Sequence, residues 1–299
     1  MKGHIMACKK LVTFDFVGRS YTLKMTKRSQ FGNCNKVSKA KITYRNELNA
    51  LSFPKFTAMD FNLFFTICYF VIKQNKNKRA LKKSVKIKFD DLRIFMPDIK
   101  NKKRFFDEIV KFVKYKLKWV GVDTIRYDSE ADKDSDVLEY LENGEREVEG
   151  SVFLNKYLVS ERNEELYLEI TPYAYSMLNE FGNFMSFDMS EFCSFENKYT
   201  KTLFRLLKQY ENLNSYNIDE NSNLKAIKMN KNEFMKFMDT PSNYKMSHLD
   251  CRVMTPSLDE LNSKSFSYKN LTYEKLYDCN NKNKKVLAFQ IIFEKVVPK

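Results

Sequence analysis

Residues 196–210 set the strongest constraint on how this chain folds. Tyr199, Leu203, Leu206 and Tyr210 recur at the 3.6-residue period of a helix and predict one buried stripe. Lys198, Lys201, Arg205 and Lys208 fall on the remaining arc and predict a cationic outer face. Residues 211–223, rich in Asn and Ser, read as a loop, and residues 226–229 as a strand. Asn230 with Glu233 then forms a capping pair for a helix that turns Phe234, Phe237 and Met238 inward. Residues 239–244 carry Pro241 and read as a turn. Ser247, with Asp250 three residues on, opens a third helix with Leu249, Val253, Leu258 and Leu261 buried. Pro256 falls inside it, so a kink or a restart capped by Thr255 is expected. Residues 271–279 and 286–293 close the segment as a hairpin.

Helix, strand, helix, helix, hairpin is the connectivity of a winged helix. A similar order can be read between Asn46 and Ile170. After an opening at residues 41–51, Thr57 and Asp60 make a capping pair. Phe64, Ile67, Cys68 and Val71 then mark a buried helix of about five turns. Residues 85–89 alternate as a strand, and residues 90–96 form a short helix stopped by Pro97. Residues 103–118 are amphipathic, with Phe105, Ile109, Phe112 and Val113 opposite Arg104, Lys111, Lys114 and Lys118. Residues 119–127 and 148–159 read as a hairpin with a long tip, residues 166–170 as a strand, and Pro172 as the first turn of a helix to about Asn179. Residues 181–187, with Gly and Asn, are the expected boundary. The fold class expected is α+β, with two tandem winged-helix domains. Residues 1–40 would be a basic arm with a hairpin about Gly18-Arg19-Ser20, residues 41–185 the first domain and residues 186–299 the second.

Charge says what such a fold would bind. The net charge is +14, and its signs are segregated. Residues 1–45 carry 11 basic and 1 acidic side chains, residues 73–118 carry 17 and 5, and residues 197–299 carry 18 and 11. Residues 123–149 reverse this, with 3 basic and 11 acidic. A codon bias toward Lys and Asn would not sort the signs in this way. The basic blocks read as a polyanion-facing surface, and the acidic segment 128–149 as a loop held off it.

Enzyme chemistry finds little support. His4 and His248 are the two histidines, too few for a His-x-His metal cluster, and the seven glycines form no phosphate-cradling loop. The six cysteines are scattered, without zinc spacing, as reduced thiols would be. No catalytic residue, metal or cofactor is expected. Tyr244, His248 and Arg252 stand four residues apart; the spacing reads as Tyr244 packing the turn while His248 and Arg252 face solvent or DNA, with a strand-transfer or nuclease activity as an alternative to be tested by nicking of supercoiled plasmid. The longest apolar run, residues 61–72, is too short to span a bilayer, and no signal-peptide pattern opens the chain. A cytoplasmic protein without membrane contact is expected.

In a helix-turn-helix the second helix enters the major groove with its N-terminal residues on base edges. That places Lys245, Ser247, His248 and Arg252 on the reading surface, with Arg252 suited to guanine O6 and N7. Lys282, Lys284 and Lys285 at the hairpin tip would contact phosphates, as would Arg104, Lys111 and Lys114 in the first domain.

With these residues in place the chain resembles the iteron-binding, theta-type plasmid replication initiators. The likeness rests on Asn46-Glu47-Leu48, on Tyr199-Thr200-Lys201 with Leu206-Leu207-Lys208-Gln209-Tyr210, on Glu260-Leu261-Asn262, and on the closing hairpin through residues 288–293, and it spans roughly residues 41–296. It implies binding to direct repeats in double-stranded origin DNA, opening of neighbouring AT-rich DNA, and recruitment of a host initiator and replicative helicase. It also implies monomers on the repeats, and dimers through the first domain that repress the protein's own promoter. One departure stands out: relatives carry a basic run early in the last recognition helix, whereas here Asp250 and Cys251 precede a single Arg252. A transcriptional regulator without a replication role would need the same surface.

Overall fold

The computed structural model describes residues 11–16, 19–24, 40–51, 53, 55–75, 84–94, 99, 101–127, 146–179, 182–213, 224–278 and 285–296, with backbone alone at 11–24, 122–127 and 146–149. The chain divides into two units, Met1–Ala40 and Lys41–Lys299. In the first, β1 (Leu11–Phe16) pairs antiparallel with β2 (Arg19–Lys24), from Leu11↔Lys24 to Phe16↔Arg19, as the alternation predicts. The rest of the expected basic arm lies outside the described residues.

The second unit opens with β3 (Lys41–Arg45), a 3₁₀ turn (Asn46–Ala50) and α1 (Ala58–Asn75). The predicted capping pair forms: the Thr57 backbone N–H donates to Asp60 Oδ2 (2.6 Å), and Asp60 N–H returns to Thr57 Oγ1 (3.3 Å). Lys116 also pairs with that carboxylate. β4 (Ser84–Lys88), α2 (Phe89–Arg93) and α3 (Lys102–Tyr115) follow. Phe105, Ile109, Phe112 and Val113 of α3 are buried as the periodicity requires. The helix ends at Tyr115, earlier than expected, and a 3₁₀ turn (Leu117–Trp119) succeeds it.

The stretch read as one long-tipped hairpin is two. β5 (Gly121–Tyr127) pairs with β6 (Arg146–Val152), and the chain then breaks at Phe153 into β7 (Leu154–Ser160), which pairs with β8 (Glu165–Ile170). Phe153 ends the strand because its ring is buried against Phe64, 5.1 Å between centroids. Gly121 is required where the strands approach, since a Cβ there would collide with the Ser151 carbonyl. The sheet order is β4-β8-β7, so β7 and β8 are the wing and β5–β6 is an insertion before it. The expected tip, residues 128–145, lies outside the described residues. α4 (Pro172–Asn179) starts on its proline as predicted.

Within the expected boundary, residues 184–187 belong to a strand. β9 (Phe184–Asp188) pairs with β3 along its length, Lys41↔Asp188 to Arg45↔Phe184, because alternate Met185 and Phe187 are buried beside Ile42 and Tyr44. α5 (Met189–Ser194) and α6 (Lys198–Tyr210) come next. The remaining elements are β10 (Leu224–Asn230), α7 (Lys231–Phe237), α8 (Met246–Leu249), a π turn (Asp250–Met254), α9 (Thr255–Lys264), β11 (Tyr268–Tyr277) and β12 (Val286–Lys295). Their sheet order is β10-β12-β11. It repeats β4-β8-β7, so the chain contains the same helix-turn-helix-and-wing module twice.

The basic arc of α6 is the main correction. Lys201 is 0% exposed, Arg205 1% and Lys208 9%. The helix is not a solvated face but a strut between the modules, and each cation is met individually. Lys201 Nζ donates to the Phe192 carbonyl (2.5 Å), and burial still lowers its pKa to about 8. Arg205 donates through Nε (3.0 Å) and Nη2 (2.7 Å) to Asn49 Oδ1, with its guanidinium 4.7 Å from the Phe53 ring. Lys208 donates to Glu211 (3.1 Å) and to Ser267 Oγ (3.0 Å). An aromatic chain crosses with it: Phe65 to Phe187 (5.4 Å), Phe187 to Phe204 (5.7 Å), Phe204 to Tyr268 (5.8 Å) and Tyr268 to Phe293 (5.4 Å). Each fully buried ring contributes roughly 1.5–3 kcal/mol of apolar transfer. Glu191 of α5 completes the junction. Wholly buried, it accepts from Ser265 Oγ (2.6 Å), Phe266 N–H (3.0 Å), Ser267 N–H (2.9 Å) and Ser267 Oγ (2.6 Å).

Candidate nucleic-acid interface

The second module exposes one side of a helix whose other side is core. Leu249, Val253, Leu258 and Leu261 are buried, and Lys245, Ser247 and Arg252 are exposed with His248 half-buried. Asn230 Oδ1 caps α7 through the Asn232 N–H (2.9 Å), and the chain then turns through Asp239, whose φ of 49° is left-handed. Lys198 of α6 pairs with the Asp239 carboxylate (3.2 Å), which fixes the turn to the first helix of the module.

α8 begins at Met246, with Lys245 at the cap position and no side chain capping it. The expected Ser247–Asp250 capping pair is absent. Asp250 instead accepts from Tyr273 Oη and Lys275 Nζ on β11, tying the helix to the wing. Burial, reinforced by the hydrogen bond to Asp250, raises the Tyr273 pKa. Nor does Thr255 restart the helix, since its φ and ψ of −55° and −53° are helical. Pro256 lacks an N–H, and its ring would crowd the Arg252 carbonyl, four residues back. The rod widens into the π turn over Asp250–Met254 and continues, leaving Cys251 and Arg252 on the outside.

Tyr244 organises this surface. Its ring lies 5.6 Å from the His248 ring, edge to face, and 5.7 Å from the Arg252 guanidinium. The same tyrosine is hydrogen-bonded to Tyr199, whose pKa is pushed up to about 12 by burial first and by Tyr244 second. The four-residue spacing is a packing arrangement in the fold: one ring lies against both His248 and Arg252. Lys285 is exposed at the start of β12, where the Asp278 N–H donates to its carbonyl (2.9 Å). Lys282 and Lys284 lie outside the described residues.

In the first module, Asn101 caps α3 by accepting from Arg104 N–H (3.0 Å). Arg104, Lys111 and Lys114 are all exposed, Arg104 and Lys111 two turns apart on one face. Lys118, expected on the same helix, lies in the following 3₁₀ turn, with its ammonium 5.4 Å from the Trp119 ring. Sequence reasoning missed Asp250 as the helix-to-wing tie and the exposed Tyr115 and Trp119. Among the described residues no group of three His, Cys, Asp or Glu side chains could hold a metal ion, and no helix is long and apolar enough to cross a membrane.

Comparison with known proteins places these modules. Residues 41–208 match the family model described as initiator replication protein, WH1, and residues 230–293 match initiator Rep protein, WH2. No curated protein matches the chain. Among solved structures, the Pi initiator protein in complex with iteron DNA superposes with a TM-score of 0.54 at 14% identity, covering 87% of this chain and 99% of that one. Two structures of RctB domains 2 and 3 cover 98% and 97% of this chain, and 94% and 92% of their own, at 10% and 12% identity and TM-scores of 0.44 and 0.38.

Proposed function

We propose that this chain, which belongs to the family of replication initiator proteins with two winged-helix domains, acts at its origin by binding direct repeats in double-stranded DNA. The reading is carried by one observation. The α8–α9 rod buries Leu249, Val253, Leu258 and Leu261 while turning Lys245, Ser247, His248 and Arg252 outward, which is what base reading in a major groove needs. The solved Pi initiator is seen with iteron DNA, which supports the same ligand here. Arg252, steadied over Tyr244, would read guanine, and Lys282, Lys284 and Lys285 would neutralise phosphates from the wing. Arg104, Lys111 and Lys114 on α3 would do the same for the first module. The work is binding work. Contacts on successive groove faces would distort and open adjacent AT-rich DNA, and no covalent step is assigned to any side chain.

Self-association through the first domain belongs to the same proposal. β7 is the edge of its sheet and leaves Leu158 58% exposed, a template for pairing with a second copy. Such dimers would repress the promoter, while monomers on the repeats would recruit a host initiator and replicative helicase in the cytoplasm. Footprinting on DNA flanking the coding region tests the core of this. Protection recurring at a constant interval next to AT-rich sequence is expected. Protection of one isolated operator would point to a regulator instead, and no protection would remove the reading.

A further inference from the structure

The chain's one tryptophan is exposed, and the fold puts it there. α3 ends at Tyr115, and the 3₁₀ turn that follows buries Leu117 and then Val120, both 0% exposed. The Trp119 N–H donates to the Lys116 carbonyl (2.9 Å), and the Val120 carbonyl is fixed by the Phe153 N–H (2.8 Å). With Leu117 and Val120 pinned inward, Lys118 and Trp119 are thrown out. Trp119 is 61% exposed, and Tyr115 one turn earlier is 60% exposed. Each ring carries a lysine: Lys114 Nζ is 5.0 Å from the Tyr115 ring and Lys118 Nζ is 5.4 Å from the Trp119 ring. Between Ile109 and Val120 there are four lysines and no acidic residue; Lys116 is taken by Asp60, which leaves Lys111, Lys114 and Lys118 exposed.

Two large rings exposed one turn apart, each beside a lysine, make an aromatic and cationic patch of the kind that marks a binding surface. The lysines decide what binds there. A second copy of this face would bring like charges together, whereas an apolar protein surface would leave the ammonium groups without partners. A single strand supplies both complements, unpaired bases for the rings and phosphates for the lysines. Duplex DNA supplies only the phosphates, because its bases are stacked on one another.

We infer that Tyr115 and Trp119, with Lys114 and Lys118, form a stacking platform for single-stranded DNA. The inference rests on the origin-binding reading above and adds a ligand to it. The strand released when AT-rich DNA opens would be held here, without sequence readout, so that the duplex does not close again.

The single tryptophan makes the site its own reporter. Full-length protein is titrated with oligothymidylate while tryptophan fluorescence is followed, and binding of a duplex carrying the footprinted repeats is measured on the same preparation. Saturable quenching that is reversed by salt is expected with oligothymidylate and not with a blunt duplex of equal length. By anisotropy of a dye-labelled oligothymidylate, which needs no tryptophan, Trp119→Ala should weaken binding roughly 5- to 150-fold, with Tyr115→Ala adding a loss of similar size. Trp119→Phe should restore most of it, and repeat binding should be unchanged in all three. Oligothymidylate binding without quenching, or a Trp119→Ala variant that binds it as well as the parent, would overturn the platform. So would a fluorescence change that follows protein concentration alone, because a second copy would then be the occupant. Failure of the unaltered protein to bind duplex repeats would remove the origin reading and this proposal together. Intact repeat binding without oligothymidylate binding would remove the platform only.

Discussion

Replacing Glu191 tests whether the two modules are fastened where the hydrogen bonds say they are. In Glu191→Ala, the Phe266 and Ser267 N–H groups lose their bonds to the carboxylate, with Ser265 Oγ at 3.2 Å still open to the Ser267 N–H. A hydrogen bond to a charged group contributes about 1.5–3 kcal/mol. Losing two such backbone bonds, one of them partly replaced, with two hydroxyls free to rotate elsewhere, sums to about 3 kcal/mol. For a unit of this length that is a fall in Tm of about 6–12 °C. Glu191→Gln keeps an oxygen for the two N–H groups and offers its amide to Ser267 Oγ, so it should cost about 1 kcal/mol. Urea unfolding of parent and both variants, followed by circular dichroism, separates these outcomes. Because Glu191 joins α5 to the turn before β11, the alanine variant should also broaden or split the transition, seen as a reduced m-value. An alanine variant within about 0.5 kcal/mol of the parent would refute the argument, since surface substitutions commonly fall in that range. So would a glutamine variant as damaging as the alanine.

Three further outcomes are expected. Lys201 titrates at about 8 in the folded chain against an ordinary 10.5; between those values the unfolded chain binds the extra proton, so stability rises with pH across that window. The rise should be on the order of 3 kcal/mol, and subtracting the pH profile of Lys201→Met from that of the parent should isolate it; identical profiles would contradict the burial argument. Arg252→Ala should cost about 1–3 kcal/mol on the cognate repeat and blur its sequence preference. Lys285→Ala should act on cognate and random duplex alike and lower the salt slope by about one. Equal losses on both DNAs from both variants would count against these roles. Asp250→Ala releases Tyr273 and Lys275 from the helix and should cost about 1–2 kcal/mol of stability. It should lower the ratio of cognate to random binding at constant salt slope, and an unchanged ratio would mean that the helix-to-wing tie does not set the reading angle.

Elements with a local cause were legible in the sequence. Thr57 with Asp60, Asn230, and Pro172 marked helix starts because capping and a missing N–H act within one turn. The apolar face of α3 was legible because Phe105, Ile109, Phe112 and Val113 all meet one core. Ser247 with Asp250 has the same capping spacing and misled, because a tyrosine and a lysine 23 and 25 residues downstream compete for that carboxylate. The first wing was assigned to the wrong pair of strands for a related reason. Residues 146–160 are continuously β-forming, and only the burial of Phe153 against α1 divides them. Of the site, the exposed cations were foreseen by position in the module. The spacing of Tyr244, His248 and Arg252 pointed to packing of the turn, and the structure adds which rings and charges meet there.

The cationic arc of α6 shows why charge periodicity needs tertiary context before it is read as a ligand surface. An amphipathic helix tells which side is apolar, but not whether its other side meets water or a second module. Here the second module supplies Ser267 and Glu211 to Lys208, the first supplies Asn49 to Arg205, and Phe192 offers a carbonyl to Lys201. Lysine and arginine suit such a junction because their long stems pack against rings such as Phe53, Phe204 and Tyr268 while their heads reach polar atoms beyond. These cations are therefore unavailable to phosphates, and among the described residues the proposed DNA contacts are left to the smaller set on α3, the α8–α9 rod and Lys285. Salt dependence should follow that smaller set: neutralising Lys201 or Arg205 should change unfolding and leave the salt slope of repeat binding where it was.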